Sequence, residues 1–435
     1  MYRADIERLD PDALRGLQSE RLRDLVARLR SSDTSYWQEK LDGVGSVESL
    51  EDLPTLPFTH KQEFRDAFPY GMVAIPMDRV VRIHASSGTS GKPTIVAYTA
   101  NDVAVFAQVN ARSLSAAGGG RGDIVHVAYG YGLFTGGLGL HYGVEELGGV
   151  AVPASGGNPG FQVQLLADAG ATGLASTPSF ALLLAERATE LGVKDAIGLR
   201  WGIHGAEAWS EELRTKVEDA WGGGYSACDI YGLSEVIGPG VAAECRENKG
   251  GMHVFEDHFY PEIVDVVTGE PVADGEAGEL VITTLTKEAQ PVIRYRTRDI
   301  TRFLPGPCPC GRTGRRIGRL EGRADDMLII RGINVYPRTI EAVLMDDPDV
   351  GSNYAIVIDR RGPLPEVVAR VEVAEHGDPS DASPIADRLQ RRLAETVRLR
   401  ITVEVGRPGS IPRAELGKAR RVFERTSEVD PVPWA

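Results

Sequence analysis

Three apolar runs too short to be helices, Ile124 to Ala128, Gly149 to Val152 and Leu174 to Ser176, are separated by stretches long enough to hold one helix each. Two-residue hairpins cannot use such spacers, whereas parallel neighbours need a crossover of about a dozen residues or more, usually helical. The alternation therefore predicts an α/β domain with largely parallel sheets. Upstream, Thr99-Ala100-Asn101-Asp102 reads as the cap of a helix that runs through Ala117 and is stopped by Gly118-Gly119-Gly120. Glycine-rich Tyr129 to Gly139 follows a predicted strand directly, which is where open sheets place their ligands.

A second feature points to the ligand. His84-Ala85-Ser86-Ser87-Gly88-Thr89-Ser90-Gly91-Lys92-Pro93-Thr94 follows the apolar run Val80, Val81, Ile83. Small residues let backbone N–H groups approach a polyphosphate, hydroxyls donate to it, and Lys92 adds charge. A Walker loop needs glycine where Ser86 stands, so the P-loop NTPase reading is set aside. Taken alone, the stretch also fits a turn between strands.

The order of motifs after this loop removes the ambiguity. Tyr231-Gly232-Leu233-Ser234-Glu235, Tyr295-Arg296-Thr297-Arg298-Asp299, Gly322-Arg323-Ala324-Asp325-Asp326 and Gly417-Lys418 follow in turn. Together they resemble the adenylate-forming superfamily. Tyr129-Gly130-Tyr131-Gly132-Leu133-Phe134-Thr135-Gly136-Gly137 and Ile329 to Pro337 make the chain similar to its phenylacetate-CoA ligase family, nearly end to end. The resemblance implies a large adenylation domain over 1–322, with a helical cap at 1–75 and a β-rich part at 245–315. A hinge at 323–326 would lead to a small mobile α+β domain at 327–435.

The same resemblance implies site roles. ATP or AMP would be held by Ser86, Ser87, Gly88, Thr89, Ser90, Gly91 and Lys92, by the ledge Gly205-Ala206-Glu207, and by Asp229, Tyr231 and Gly232 around adenine. Asp299 would accept the ribose hydroxyls, and Arg323 would contact ribose or phosphate. Ser234 would face the adenylate, Glu235 would hold magnesium, and Lys418 would bridge the acyl carboxylate and the α-phosphate. No other lysine follows Lys287. Tyr129, Tyr131 and Phe134 cluster so that a flat apolar ligand could stack there, or so that the rings simply pack in the core. The resemblance assigns them, with Gly136, to an aryl pocket. It makes Asp325 the hinge and places Ile330, Gly332 and Asn334 along a pantetheine passage. Arg298 stands where the wider superfamily has glycine, and its role is open.

Cys308-Pro309-Cys310-Gly311 forms a knuckle-like turn, with Cys245 and His253 upstream. Two close thiolates and a distant Cys/His pair meet the four-ligand demand of structural zinc, though the spacing is not a standard ribbon and unrelated thiols fit as well. Structural zinc in some family members favours the site, with His258 as substitute ligand and Cys228 left as a core thiol.

Bulk properties exclude other classes. With 435 residues and 42% apolar residues the chain can build two or three cored domains. A net charge of -14 argues against nucleic acid as partner. The charged N-terminus argues against a secretory signal, and no run reaches membrane-spanning length. The expected location is the cytoplasm. The reading is an aryl- or arylacetate-CoA ligase using ATP, magnesium and coenzyme A, with the resemblance making a homodimer one of the open oligomeric states. Two rivals stand beside it: an aryl-acid adenylating enzyme that serves a phosphopantetheinyl carrier protein, an amine or a hydroxyl, and a zinc-stabilised interaction protein without catalysis.

Overall fold

The computed structural model describes residues 1–86, 93–324, 328–330, 333–362, 365–374, 382–412, 420–427 and 430. Its centre is a nine-stranded sheet. Five strands run parallel in the spatial order Val150–Val152, Ile124–Val127, Gly173–Ser176, Trp201–Gly205 and Ser226–Leu233. Gly238–Cys245, Asn248–Val254, Arg316–Gly318 and Phe303–Leu304 then extend it antiparallel. The predicted α/β class is what the chain adopts.

The helix at Ala100–Ala117 starts and stops for the reasons the sequence suggested. Thr99 Oγ1 accepts from the amide of Asp102 at 3.0 Å, and the Asp102 carboxylate accepts from the amide of Thr99 at 2.9 Å. Gly118, with φ 109°, takes the left-handed turn that ends it. Asp102 does more than cap, because its oxygens also accept from the amides of Glu288 at 2.7 Å and Ala289 at 2.9 Å. This helix packs on Gly136–Leu147, whose glycines permit the approach. A Cβ on Gly143 would lie 2.5 Å from Asn110 Cβ and 2.8 Å from the Asn110 carbonyl carbon.

A second, four-stranded antiparallel sheet, Phe259–Val264, Gly278–Thr284, Tyr295–Thr301 and Gly322–Arg323, stands beside the first. The N-terminal helix Pro11–Arg30 buries Leu22, Leu25, Val26 and Leu29 against Trp37, Leu53 and Leu56, and this cluster reaches Leu285 and Ile293 next to the second sheet. Beyond the hairpin Leu328–Ile330 and Ile333–Val335, the C-terminal part forms its own core. Its sheet orders Thr402–Gly406, Glu366–Val373, Val350–Asp359 and Val422–Arg425, under helices Pro337–Met345 and Ala382–Val397. Ile385, Leu389, Leu393 and Val397 give the second helix a fully buried stripe at i, i+4 spacing. Among the described residues no helix is long and apolar enough to cross a membrane.

The two kinds of glycine position predict opposite effects on stability. Gly143→Ala must push the two helices apart and should cost about 1–3 kcal/mol in denaturant unfolding. Gly16→Ala, exposed in helix Pro11–Arg30 with nothing within 4 Å of its new methyl, should instead gain roughly 0.5–1 kcal/mol.

Candidate active site

The ends of the parallel strands Trp201–Gly205 and Ser226–Leu233 open into a cavity of about 330 Å3. Its walls come from both sheets and from the C-terminal part: Trp209, Asp229, Tyr231 and Met252 on one side, Asp299, Arg323 and Arg338 on the other. Of the residues assigned to nucleotide from the sequence, Ala206, Glu207, Asp229, Tyr231, Gly232, Asp299 and Arg323 all line it.

Asp299 organises the far wall. It is 3% exposed, Tyr231 Oη donates to its Oδ2 at 2.6 Å, and Arg323 Nη1 donates to its Oδ1 at 3.2 Å. Arg323 stands directly across the ladder from Asp299, so sheet register fixes the pair. Behind them Glu279, fully buried, accepts from Arg296 Nε at 3.1 Å and from the amide of Arg298 at 3.0 Å. Arg298 has φ 68°, in the left-handed region that favours glycine. That is the physical reason a glycine suits this position elsewhere. In this chain the buried carboxylate of Glu279 holds the strained backbone in place.

The ledge is equally constrained. A Cβ on Gly205 would come within 2.3 Å of the Ile230 carbonyl oxygen, and Ala206 has φ 68°. The amide of Gly205 donates to Tyr129 Oη at 2.9 Å, and that hydroxyl donates to the Ser176 carbonyl at 2.6 Å. Tyr129, 5% exposed, thus braces the ledge with its hydroxyl while its ring abuts Gly136. Ser179 Oγ donates to Glu207 at 2.7 Å. Burial, then the neighbouring charge of Glu244, pushes Asp229 up to about 8, with Arg214 opposing. Gly232 has no room for a side chain, since a Cβ would lie 1.9 Å from the Gly238 carbonyl oxygen.

Glu235 is 4% exposed and Ser234 8%. The ammonium of Lys61 lies 3.3 Å from Glu235 Oε1, and Lys287 Nζ donates to the Glu235 carbonyl at 3.2 Å. Burial pushes Lys287 down to about 8 against the opposing charges of Asp102 and Glu235. Two cations therefore meet the residue read as a magnesium ligand. Sequence reading found neither. Lys61 arrives because the amide of Thr59 donates to the Arg294 carbonyl and the amide of Arg296 donates to that of Thr59, a long-range pairing with no local signature.

Ser86 closes the neck of the predicted phosphate loop. Its amide donates to the Thr94 carbonyl at 2.9 Å, and the Thr94 amide donates to Ser86 Oγ at 3.2 Å. The strands that flank the loop, Arg82–Ala85 and Ile95–Tyr98, pair antiparallel. Ser87 to Lys92, Asp325, Gly332 and Lys418 lie outside the described residues, as does the side chain of Asn334. The Leu133 carbonyl accepts from the amide of Ala85 at 2.9 Å and pairs with His84 Nδ1 at 3.0 Å, fixing the aromatic-rich stretch beside this strand pair. There Phe134 packs over Gly136, where a Cβ would meet its ring at 2.6 Å. Tyr131 Oη lies 3.3 Å from His141 Nδ1. In this arrangement the Ile330 side chain is fully buried in the C-terminal core.

The structure gathers Cys245, His253, Cys308 and Cys310 into one cluster, with all ligand atoms within 4.8 Å of one another. Cys245 and Cys308 sulfurs are 3.5 Å apart, and Cys310 Sγ is 3.4 Å from His253 Nε2. Those separations are near the edge of a tetrahedron with arms of about 2.1–2.3 Å, and far longer than a disulfide of about 2.05 Å. The substitute ligand His258 is not brought there. Its Nδ1 pairs with Thr286 Oγ1 at 2.8 Å and its Nε2 with Gln108 Oε1 at 3.0 Å.

Comparison with known proteins agrees with this geometry. The AMP-binding enzyme family matches residues 24–286, and the AMP-binding enzyme C-terminal domain matches 332–426. The chain is 47% identical to the phenylacetate-coenzyme A ligase of Thermus thermophilus, over 98% of this chain and 99% of that one. It is also 47% identical to that of Escherichia coli K12, over 96% of each. Among solved structures, 2-hydroxyisobutyryl-CoA ligase in its postadenylation state, in complex with R3-HIB-AMP, superposes with a TM-score of 0.89 at 27% identity, covering 96% of this chain and 91% of that one. In its thioesterification state the TM-score is 0.71 at 28% identity and the same coverage. A cavity walled by the adenylate-forming motifs and near-full-length likeness to these enzymes lead to one conclusion: the chain belongs to the AMP-binding enzymes, within the phenylacetate-coenzyme A ligase family.

Proposed function

We propose that this chain activates an arylacetic acid, phenylacetate first among them, in the space between the nucleotide cavity and the Tyr129 to Gly137 stretch. The class of reaction follows from the family: the chain is an ATP-dependent, AMP-forming acid-CoA ligase that works through an acyl-adenylate. The non-catalytic rival falls with it. The single observation that carries our placement of the nucleotide is the buried Tyr231, Asp299 and Arg323 set facing one cavity.

A carboxylate cannot expel oxide, so its oxygen attacks the α-phosphorus of ATP, forming the O–P bond as the bond to pyrophosphate breaks. Such a transfer depends on positioning and charge neutralisation more than on proton transfer. Here Asp299 accepts from ribose hydroxyls, and Tyr231 and the 205–207 ledge flank adenine. Residues 87–92 hold the β- and γ-phosphates, and Lys418 reaches the α-phosphate and the acyl carboxylate. Glu235 is the residue that would hold magnesium. Its Oε1 accepts no hydrogen bond among the described residues and faces the Lys61 ammonium at 3.3 Å, so a buried carboxylate oxygen is at hand for a hard cation. Magnesium, when bound, neutralises charge on the departing pyrophosphate. Lys61, beside Glu235, would add a cation to the same phosphates.

In the second half-reaction the CoA thiol attacks the acyl carbon of the adenylate, and AMP leaves. The thiol needs the position that Lys418 occupied, so the part from 327 onward turns about Asp325 between the two steps. Phe134 over Gly136, with Tyr131, forms the aryl wall. The Cys245, His253, Cys308 and Cys310 cluster would hold one zinc as a staple between the β-rich strands and the 303–316 loop, with no part in catalysis.

Three outcomes test this reading. With phenylacetate, ATP and CoA, AMP and phenylacetyl-CoA should form in equal amounts. Acid-dependent pyrophosphate exchange that CoA does not stimulate would move the acceptor to a carrier protein, an amine or a hydroxyl. Lys418→Ala should slow that exchange on the order of a hundredfold or more, the usual cost of removing one cation from a dry site, and a wild-type rate in this variant refutes its role. Dialysed protein should retain about one zinc per chain, as expected of a closed four-ligand site, and Cys308→Ser should lower both zinc content and melting temperature. Full zinc retention in that variant removes Cys308 from the ligand set.

A further inference from the structure

Away from the cavity, two helices of the front part grip a single point of the C-terminal part. Lys216, on helix Glu211–Trp221, donates from Nζ to the Val350 carbonyl at 2.7 Å and to the Gly351 carbonyl at 3.3 Å. One residue further, Ser352 Oγ donates to Glu186 Oε1 at 2.6 Å, from helix Pro178–Glu190. The strand Val350–Asp359 loses register with Glu366–Val373 between Val350 and Tyr354. The gripped carbonyls sit at this irregularity.

Lys216 is half-buried, and among the described residues no carboxylate lies within ion-pair distance of it. Burial pushes it down to about 8, with Asp347 opposing. An ammonium in that setting is tolerated because two main-chain carbonyls of the C-terminal part solvate it. None of Lys216, Glu186 and Ser352 lines the nucleotide cavity. Another contact across the same boundary, Arg338 Nη2 donating to the Trp209 carbonyl at 3.2 Å, belongs to the cavity wall. The arrangement itself follows the postadenylation form of 2-hydroxyisobutyryl-CoA ligase more closely than its thioesterification form.

We propose that Lys216, with Glu186 and Ser352, is a clasp that holds the C-terminal part in the adenylate-forming arrangement and has to open before CoA can react. The proposal rests on the domain turn inferred above. Lys216 is in this sense a positioning residue: it touches no reacting atom and acts by setting how often the part carrying Lys418 is docked. A contact made in one of two arrangements shifts their ratio by its full strength, and its loss favours the other.

The two half-reactions separate the clasp from a general structural role. In Lys216→Ala, phenylacetate-dependent ATP–pyrophosphate exchange should fall roughly tenfold, the ratio that loss of one charge-assisted hydrogen bond produces. Single-turnover conversion of supplied phenylacetyl-adenylate and CoA to thioester should be unchanged or faster. Ser352→Ala should move both rates in the same directions by less, and neither variant should lower the melting temperature beyond about 2 °C, since each part keeps its own apolar core. Equal losses in both half-reactions, or no change in either, overturn the clasp. A wild-type enzyme that cannot make thioester from the supplied adenylate overturns the ligase reading beneath it instead.

Discussion

One buried carboxylate carries most of the site's geometry. Asp299 is held from one side by a phenol on the central sheet and from the other by a guanidinium on the last strand before residue 325. Burying an ionised carboxylate is costly unless its lone pairs are used, and two strong donors offset that cost. Because Tyr231 and Arg323 belong to different sheets, satisfying Asp299 also fixes the angle between those sheets. The cavity exists where they diverge. A ligand that offers hydroxyls to Asp299 therefore meets a site whose shape was set by the fold's own need for hydrogen bonds.

Much of this was legible in the sequence because it is local. The cap at Thr99 and the stop at Gly118 are chain-neighbour chemistry, and the i, i+4 stripe of 385–397 is read from spacing alone. Ala206, Glu207 and Arg323 reach the cavity at or just past strand ends, which turn residues mark in the sequence, whereas Asp229 and Asp299 lie within strands and were found from their motifs. What stayed hidden depends on pairing across long separations. Lys61 is delivered to Glu235 by a bridge between Thr59 and Tyr295, and Glu279 reaches Arg298 through strand register. Trp209 and Arg338 wall the cavity from segments that look ordinary in isolation.

A chain of net charge -14 that handles ATP must concentrate cations where they count. It does so with very few. Lys61 and Lys287 converge on Glu235, and Arg323 and Arg338 stand on the opposite wall. Elsewhere buried cations are consumed internally: Arg112 lies between Glu7 and Asp257, Arg312 against Glu7, and Arg214 against Glu244 at 2.7 Å. Removing one partner from such a pair leaves an uncompensated buried charge, so these networks resist change more than their modest net stabilisation suggests. The Arg312–Glu7 pair joins the N-terminal helix Ala4–Glu7 to the loop that carries Cys310. A zinc there would stiffen a corner already held by charge.

An enzyme that performs two different transfers with one nucleotide cavity needs two arrangements of nearly equal free energy. If the first were held too firmly, the adenylate would wait for CoA; if too loosely, the carboxylate would seldom meet its cation. Large apolar interfaces are unsuited to that balance, since each buried CH2 adds about 0.8 kcal/mol to one side. A few hydrogen bonds to main-chain carbonyls suit it better, because water replaces them at small net cost when they open. The boundary in this structure is of the second kind. Among the described residues its polar contacts include Lys216 on Val350 and Gly351, Ser352 on Glu186, Arg338 on Trp209 and the Ser210 amide on Glu341, while the large apolar clusters of the two parts are separate.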